Sequence, residues 1–412
     1  MPTQEAEWRP SPAVEWVVRE AWRLRNPRRL ADELSNRLIA DGVPLWRFGS
    51  YIPARHPEFF GDSYLWRRDV GRAEYFVATH EYTSSPAFLN SPLHAVRETR
   101  EMFRRRLVGP DARLDFPLLE ELKAEGGTEY VILPFEFNDG LQRSGDTADS
   151  GGDRRWSLGY ATYATDAPGG FTDRHIEILR DMTMALARVA ENLAIQAQTA
   201  RFLDIYVGRD AGRRILSGQV MRGSGETIHA AVAFFDLRGF TALSDALPRE
   251  TLIDLLNSFF DRVAGPVKDA DGEILKFIGD AVLAIFPVTA ERDAMGACRA
   301  ALTAATETGS AMAALNTERA AAGESELGFR VTLHVGDVMY GNIGSSDRLD
   351  FTVIGPAVNV VNRMQGICRD LDRQVLVSAA FATEAALDDL VPLGSHPVRG
   401  VAEPLAVFGL EG

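Results

Sequence analysis

The chain has 412 residues, 46% hydrophobic and 25% charged, a size and composition typical of a globular protein of two or three domains. Its net charge of −14 argues against non-specific binding to nucleic acid or to an anionic membrane. It has only two cysteines, no signal-peptide pattern and no stretch near the roughly 20 apolar residues that span a bilayer, so we expect a cytoplasmic protein without disulfides or transmembrane segments.

The N-terminal region, residues 1–172, shows helix patterns followed by strand patterns. Residues 12–25 predict a helix, and Asn26 and Pro27 predict the N-cap and first residue of a second one. Short apolar runs predict strands at residues 74–82, 129–137 and 156–165. Residues 138–155 are rich in Gly, Ser and Asp and predict a loop between the last two strands.

This mixed region ends in the sequence GGFTD, residues 169–173, followed by a long helix pattern. The order of elements and this local sequence resemble a GAF-like sensory domain. The resemblance implies an α/β fold that binds a small molecule, whose identity the sequence does not give. An unrelated α+β domain is the alternative.

The connecting helix has a heptad pattern, with seam positions spaced alternately by three and four residues. They are Leu179, Met182, Leu186, Val189, Leu193, Gln196, Ala200, Leu203 and Val207. Such a seam predicts a parallel dimeric coiled coil within residues 173–214, and a helix that packs on its own domain is the alternative. Gly208 and Gly212 interrupt the pattern and predict a joint before the last domain, residues 215–412.

Two aspartates each follow an apolar, strand-like run in this last domain. Asp236 ends the run of residues 230–235, and Asp280 lies at a Gly-Asp turn between two apolar runs that predict a hairpin. Carboxylates on neighbouring strand ends can share two divalent cations, such as Mg²⁺ or Mn²⁺. A two-metal site suits phosphoryl or nucleotidyl transfer.

Four motifs of this domain together match a known family. They are FFDLRGFT (234–241), ILKFIGDAVLAIF (274–286), LHVGDVMYGNIG (333–344) and FTVIGPAVNVVNRM (351–364). In this order they resemble the catalytic domain of class III nucleotidyl cyclases. The resemblance implies a ferredoxin-like α+β fold and a head-to-tail homodimer with active sites at its interface.

The resemblance also assigns roles at the phosphate end of the substrate. Asp236 and Asp280 would be the metal ligands, and the backbone around Gly239 and Phe240 would cradle phosphate. The family often has a lysine near its last strands that touches the terminal phosphates. The nearest cation here is Arg399, which we take as a candidate phosphate ligand.

Four further residues have roles implied by the family at the base and the ribose. Lys276 and Thr352 would recognise the base, Asn359 would orient the ribose, and Arg363 would stabilise charge on the α-phosphate. A lysine donor and a threonine hydroxyl suit adenine, whereas guanine-selective relatives pair glutamate with cysteine or a similar residue. Asn359 and Arg363 are four residues apart and share one helix face.

The resulting hypothesis is an adenylate cyclase that converts ATP into 3′,5′-cyclic AMP and pyrophosphate under the control of its N-terminal region. The homodimer would form through the coiled coil and the catalytic domains. One alternative is a guanylate cyclase. The other is a ligand-binding regulator with an inactive cyclase-like domain.

Overall fold

Two units make up the chain, Met1–Phe202 and Leu203–Gly412. The computed structural model describes residues 9–54, 59–137, 158–387, 390–398 and 403–410. The whole predicted loop at 138–155 and Arg399 lie outside these residues. Within the described part of the chain, no helix combines the length and the apolar character that crossing a membrane requires.

The first unit is built on a six-stranded antiparallel sheet with the strand order β3-β2-β1-β6-β5-β4. Its strands are β1 (Arg47–Pro53), β2 (Phe59–Arg67), β3 (Ala73–Thr79), β4 (Phe103–Arg106), β5 (Glu129–Glu136) and β6 (Leu158–Thr165). Its helices are α1 (Pro12–Arg19), α2 (Pro27–Ala40), α3 (Pro86–Leu89), α4 (Pro92–Thr99) and α5 (Pro117–Ala124), and α6 (Asp173–Val207) begins in it. The sequence analysis missed β1, β2 and β4.

The predicted cap of α2 is confirmed, because the Asn26 side chain accepts hydrogen bonds from the backbone N–H groups of Arg28 and Arg29. The first helix ends earlier than predicted. It stops at Arg19, and a 3₁₀ turn over Ala21–Arg23 follows it.

The first half of the predicted coiled-coil seam is wrong. The side chains of Leu179, Met182, Leu186 and Val189 are buried in the core of the first unit itself, so they cannot meet a partner helix. The heptad spacing here reflects packing on the sheet. From Leu193 to Val207 the coiled coil stays a prediction. The helix is interrupted at Gly208, as predicted, where α6 ends and α7 (Arg209–Leu216) begins after a backbone φ of 93°, whereas Gly212 lies inside α7. The role of this break as the joint before the last domain stays a prediction.

The second unit has an eight-stranded sheet with the strand order β13-β14-β12-β10-β7-β9-β8, and β11 pairs with β10 off this path. The strands are β7 (Gly225–Leu237), β8 (Glu273–Ile278), β9 (Ala281–Pro287), β10 (Phe329–Gly344), β11 (Leu349–Ile354), β12 (Val375–Ser378), β13 (Leu390–His396) and β14 (Leu405–Leu410). The helices after α7 are α8 (Phe240–Ala246), α9 (Arg249–Asp269), α10 (Ala294–Ala321), α11 (Pro356–Asp370) and α12 (Ala379–Ala385).

The chain order β7-α9-β8-β9-α10-β10 gives the predicted ferredoxin-like plan. Residues of α9 and α10 pack on one face of the sheet, and residues of α7 and α11 pack with the other face. One strand differs from prediction. The apolar runs at residues 329–335 and 338–343 predict two strands, divided at Gly336 and Asp337. Phe329–Gly344 is instead a single strand, because residues 329–341 pair without interruption with β7.

Candidate active site

Asp236 and Asp280 are brought together at one end of the sheet. Asp236 is the penultimate residue of β7 and pairs in register with Ala281, the first residue of β9. Asp280 precedes Ala281 in the tight β8–β9 turn, where Gly279 adopts φ 64°. The predicted hairpin is therefore confirmed, and it places Asp280 next to the residue that pairs with Asp236.

The surroundings of Asp236 and Asp280 oppose the ionised form of both carboxyl groups. Burial, with the negative charge of Asp280 as a smaller cause, raises the pKa of Asp236 to about 6. Burial also raises the pKa of Asp280. A cation bound by these two half-buried carboxylates would offset their mutual repulsion and so stabilise the folded unit.

Asp236 and Asp280 fit a divalent cation that also binds the substrate. Among the described residues, no cluster of three or more His, Cys, Asp or Glu side chains could by itself hold a metal. Mg²⁺ is commonly held by one or two carboxylates together with water and substrate phosphates, so two aspartates are sufficient protein ligands.

The predicted phosphate loop lies directly after Asp236. Gly239 has φ 75° and precedes α8, and no side chain caps the start of this short helix. The Phe240 side chain packs partly buried against the core of the unit. Only the backbone of these two residues is thus left to approach a ligand, and their role remains a prediction.

Lys276 forms an ion pair that the sequence analysis did not predict. Its ammonium group donates to the carboxylate of Asp350 in β11, and this bond lowers the pKa of Asp350. Thr352 lies two residues further along the same strand, opposite Gly341 of β10, and is half-buried. The two predicted base-recognition residues therefore lie in neighbouring segments of the unit.

Asn359 and Arg363 are exposed on α11, one helical turn apart. The opposite face of the helix is buried. Gln365 fixes α11 on the sheet, because its amide donates to the backbone carbonyl of Phe234, 2.6 Å away, two residues before Asp236. Within the described ranges, Arg363 forms no ion pair, so its guanidinium can bind an added anion.

The sequence analysis missed Arg330. This residue of β10 lies directly opposite Asp236 in the register of β7 and β10, and its charge lowers the pKa of Asp236 against the effect of burial. Its Nε is buried and has no hydrogen-bond partner among the described residues. The available signal was an arginine within an apolar strand, a position that is costly unless the charge has a partner.

The predicted site residues fall into two groups within one chain. Among the residues that the structure describes, no hydrogen bond or ion pair joins Asp236 or Asp280 to the other group, Lys276, Thr352, Asn359 and Arg363. Five large apolar side chains on strands β8, β10 and β11 are 37–52% exposed. They are Phe277, Ile278, Met339, Leu349 and Ile354.

Residues 224–410 match the family model described as the adenylate and guanylate cyclase catalytic domain. Adenylate cyclase 1 of Rhizobium meliloti (strain 1021) is 30% identical over 214 residues, which cover 50% of this chain and 31% of that protein. An adenylate cyclase of Anabaena cylindrica is 28% identical over 194 residues, 45% of this chain and 37% of that protein. The chain thus spans about a third of the length of these relatives.

Among solved structures, the adenylyl cyclase CyaB from P. aeruginosa is 26% identical, with a TM-score of 0.42. The match covers 46% of this chain and 96% of that one. The family model includes both aspartates, the hairpin that carries Lys276, and α11. Residues 224–410, a little under half of the chain, are thus similar to the catalytic domain of class III adenylate and guanylate cyclases.

Proposed function

We propose that this chain is an adenylate cyclase that converts ATP into 3′,5′-cyclic AMP and pyrophosphate. The observation that carries the proposal is the adjacent pair Asp236 and Asp280, with Arg330 in register opposite Asp236, inside a cyclase catalytic domain. The similarity to adenylate cyclases of Rhizobium meliloti and Anabaena cylindrica supports ATP as the substrate.

In the proposed reaction, the ribose 3′-oxygen attacks the α-phosphorus of the same nucleotide. A phosphorus–oxygen bond forms, the bond from the α-phosphorus to pyrophosphate breaks, and the 3′-hydroxyl loses its proton. Asp236 and Asp280 would hold Mg²⁺ or Mn²⁺, which supplies charge stabilisation and lowers the pKa of a bound hydroxyl.

The arginines of the site match the charge of the substrate. Arg363 is exposed and unpaired among the described residues, and its planar guanidinium can bind two oxygens of the α-phosphate as charge builds up there. Arg330 lies opposite Asp236 and would bind the terminal phosphates. Asn359, one turn before Arg363, would hydrogen-bond the ribose.

Adenine is the base that Lys276 and Thr352 suit best. The ammonium of Lys276 has three donors, so it can stay bound to Asp350 and still donate to a ring nitrogen. The hydroxyl of Thr352 can accept from the exocyclic amine of adenine. A guanylate cyclase is the second candidate, because the matching family model covers both activities. An ammonium donor at position 276 argues against it.

Two copies of the chain would form each active site, with the two aspartates from one copy and Lys276, Thr352, Asn359 and Arg363 from the other. The exposed side chains of Phe277, Ile278, Met339, Leu349 and Ile354 support a second copy, because burial against a partner would remove their apolar surface from water. A homodimer would then contain two complete sites.

For regulation, we propose that residues 1–172 bind the signal, that residues 173–214 transmit it, and that residues 215–412 catalyse the reaction. A cavity of about 60 Å³ in the first unit supports a small ligand there. Its lining is mostly apolar and includes Phe60, Phe88, Leu93 and Tyr160.

Both cysteines are free thiols, which supports a reducing compartment such as the cytoplasm.

The test is product formation by the purified chain. We expect cyclic AMP from ATP in the presence of Mn²⁺ or Mg²⁺, much less cyclic GMP from GTP, and neither product after chelation of the metal. Preferential formation of cyclic GMP would favour the guanylate cyclase. Failure to convert either nucleotide under these conditions would contradict both enzyme assignments.

A further inference from the structure

Glu273 joins the helix after the Gly208 joint to the sheet of the second unit. Its Oε2 accepts a hydrogen bond from the Tyr340 hydroxyl, 3.0 Å away, and its Oε1 accepts a longer one from the backbone N–H of Ala211 in α7, at 3.4 Å. Ala211 and Tyr340 are both almost fully buried, with 0% and 1% exposure. One carboxylate on β8 thus holds both α7 and β10.

Gly208 fits closely against the same carboxylate. A Cβ at this position would lie 3.1 Å from Oε1 of Glu273 and 3.4 Å from the carbonyl oxygen of Ile274, and the backbone there has φ 93°. A side chain at position 208 would therefore strain the backbone and press on Glu273. Arg214 adds a second contact, because its guanidinium lies over the Tyr340 ring, 5.0 Å from the centroid.

The same contacts continue to the predicted base-recognition residues. The ring of Tyr340 meets the ring of Phe351 edge to face, with centroids 4.8 Å apart. Phe351 lies between Asp350 and Thr352 in β11, and Asp350 binds the ammonium of Lys276. Lys276 lies on β8, three residues after Glu273, so this series of contacts begins and ends on the same strand.

Glu273 and Lys276 project from the same face of β8. A register shift between Ile274 and Lys276 places Glu273 opposite Ile285 and Lys276 opposite Leu283, and both partners belong to one buried cluster. The contacts thus form a closed ring, from Glu273 through Tyr340, Phe351, Asp350 and Lys276 back to Glu273, and α7 is attached to it at one point.

We propose that Glu273 and Tyr340 are positioning residues that couple the placement of α7 to the placement of Lys276, and so tune the affinity of the cyclase for its nucleotide base. Neither side chain needs to touch the substrate. A shift of α7 would change the hydrogen bonds at Glu273 and, through Tyr340 and Phe351, the strand that holds Asp350. This proposal rests on the proposed base-recognition role of Lys276.

The first test is Tyr340→Phe in the full chain, which keeps the buried ring and removes only the hydroxyl. We expect the KM for ATP to rise about threefold to tenfold, a range typical of coupled contacts. We expect kcat to stay within about twofold, because binding of the base is lost equally in the ground state and the transition state. Tyr163→Phe, which removes a buried hydroxyl bonded to Thr183, is the matched control.

A purely structural role would give a different result. If Tyr340→Phe lowers the melting temperature but leaves the KM for ATP at the wild-type value, the proposal is overturned. If the wild-type chain cyclises no nucleotide, the proposed function fails instead. Equilibrium binding of ATP then decides the inference, with binding weaker by the same factor in Tyr340→Phe if the proposal is right and unchanged binding if it is wrong.

The second test asks whether the joint acts through this ring. Gly208→Ala presses on the Glu273 carboxylate and should also raise the KM for ATP. In the double variant Gly208→Ala with Tyr340→Phe, the increase should be smaller than the product of the two separate increases, because both changes disturb one set of contacts. Increases that multiply would show two independent effects and would contradict the coupling.

Discussion

Arg330 and Asp236 lie directly opposite each other in the register of β10 and β7, and Arg330 lowers the pKa of Asp236 while burial and Asp280 raise it. A fixed positive charge beside acidic groups opposes the binding of a metal cation, so Arg330 would weaken a site that bound metal alone. Its position suits a site that must also receive the negatively charged end of a nucleotide.

The first prediction concerns Arg330→Met, which removes this charge but keeps the apolar stem. We expect the KM for ATP to rise at least tenfold, because a charge-assisted bond to phosphate contributes about 1.5–3 kcal/mol. The pKa of Asp236 should also rise, so the acidic limb of the pH–rate profile should move to higher pH. Arg262→Met on α9 is the control, and an unmoved limb would show that Arg330 does not act on Asp236.

A second prediction follows from the raised pKa of Asp236. The folded-state value of about 6 exceeds the ordinary value of 3.8. The contribution of this group to stability is therefore fully present below about pH 4 and is lost as the pH rises through about 6. Asp236→Asn should stabilise the metal-free second unit at pH 7.5 by about 1 kcal/mol, a small value because the group is partly exposed.

Thermal unfolding at pH 4.5 and 7.5 checks this prediction, with Asp254→Asn on α9 as the control. The stabilising effect of Asp236→Asn should largely vanish at the lower pH. Added Mg²⁺ should raise the melting temperature of the wild-type chain more than that of the variant, because a ligand stabilises only the form that binds it. An equal effect of Mg²⁺ on both would remove Asp236 from the metal site.

The third prediction concerns base choice. Replacing Lys276 with Glu and Thr352 with Cys removes the ammonium donor and the hydroxyl, and places a second carboxylate near Asp350. We expect kcat/KM for ATP to fall at least tenfold, since one unpaired polar group in a buried pocket costs about 1–3 kcal/mol. Lys123→Glu on α5 is the charge-matched control. An ATP turnover equal to wild type would place both residues outside the base pocket.

The fourth prediction addresses the stability of the first unit. Arg201 of α6 forms two hydrogen bonds of 2.9 Å to Asp62, which is 9% exposed and also accepts from the Tyr75 hydroxyl. Arg201→Met should destabilise this unit by about 3 kcal/mol, because it leaves a buried charge without its cation. Adding Asp62→Asn should recover part of the loss in denaturant unfolding. A double variant less stable than Arg201→Met would contradict this explanation.

The sequence predicted the elements that depend on local patterns. The Gly279-Asp280 turn and the cap at Asn26 could each be recognised from neighbouring residues, and the resemblance to the cyclase family implied the ferredoxin-like order of elements. It did not predict Arg330 beside Asp236 or Asp350 beside Lys276. Both relationships bring together segments more than 70 residues apart in the chain, which no local pattern encodes.

The heptad seam shows the same limit for a helix. Its spacing reports one apolar face, and Leu179 or Val189 would have the same spacing against a partner helix as against the sheet of their own unit. Only the fold decides which surface covers that face. The strand break predicted at Gly336 failed for a related reason, because pairing with β7 holds the chain extended through it.

The central claim is that two copies of this chain share each active site, and mixing two inactive variants tests it most directly. Asp236→Ala removes a proposed metal ligand and Arg363→Ala removes the proposed α-phosphate ligand, so each homodimer should form almost no cyclic AMP from ATP. After chain exchange, verified by differently tagged copies, a heterodimer has one site with all of its residues intact. We predict that activity returns to as much as about half the wild-type level per heterodimer, since one of two sites is restored. Verified exchange without any recovery of activity would contradict the shared site.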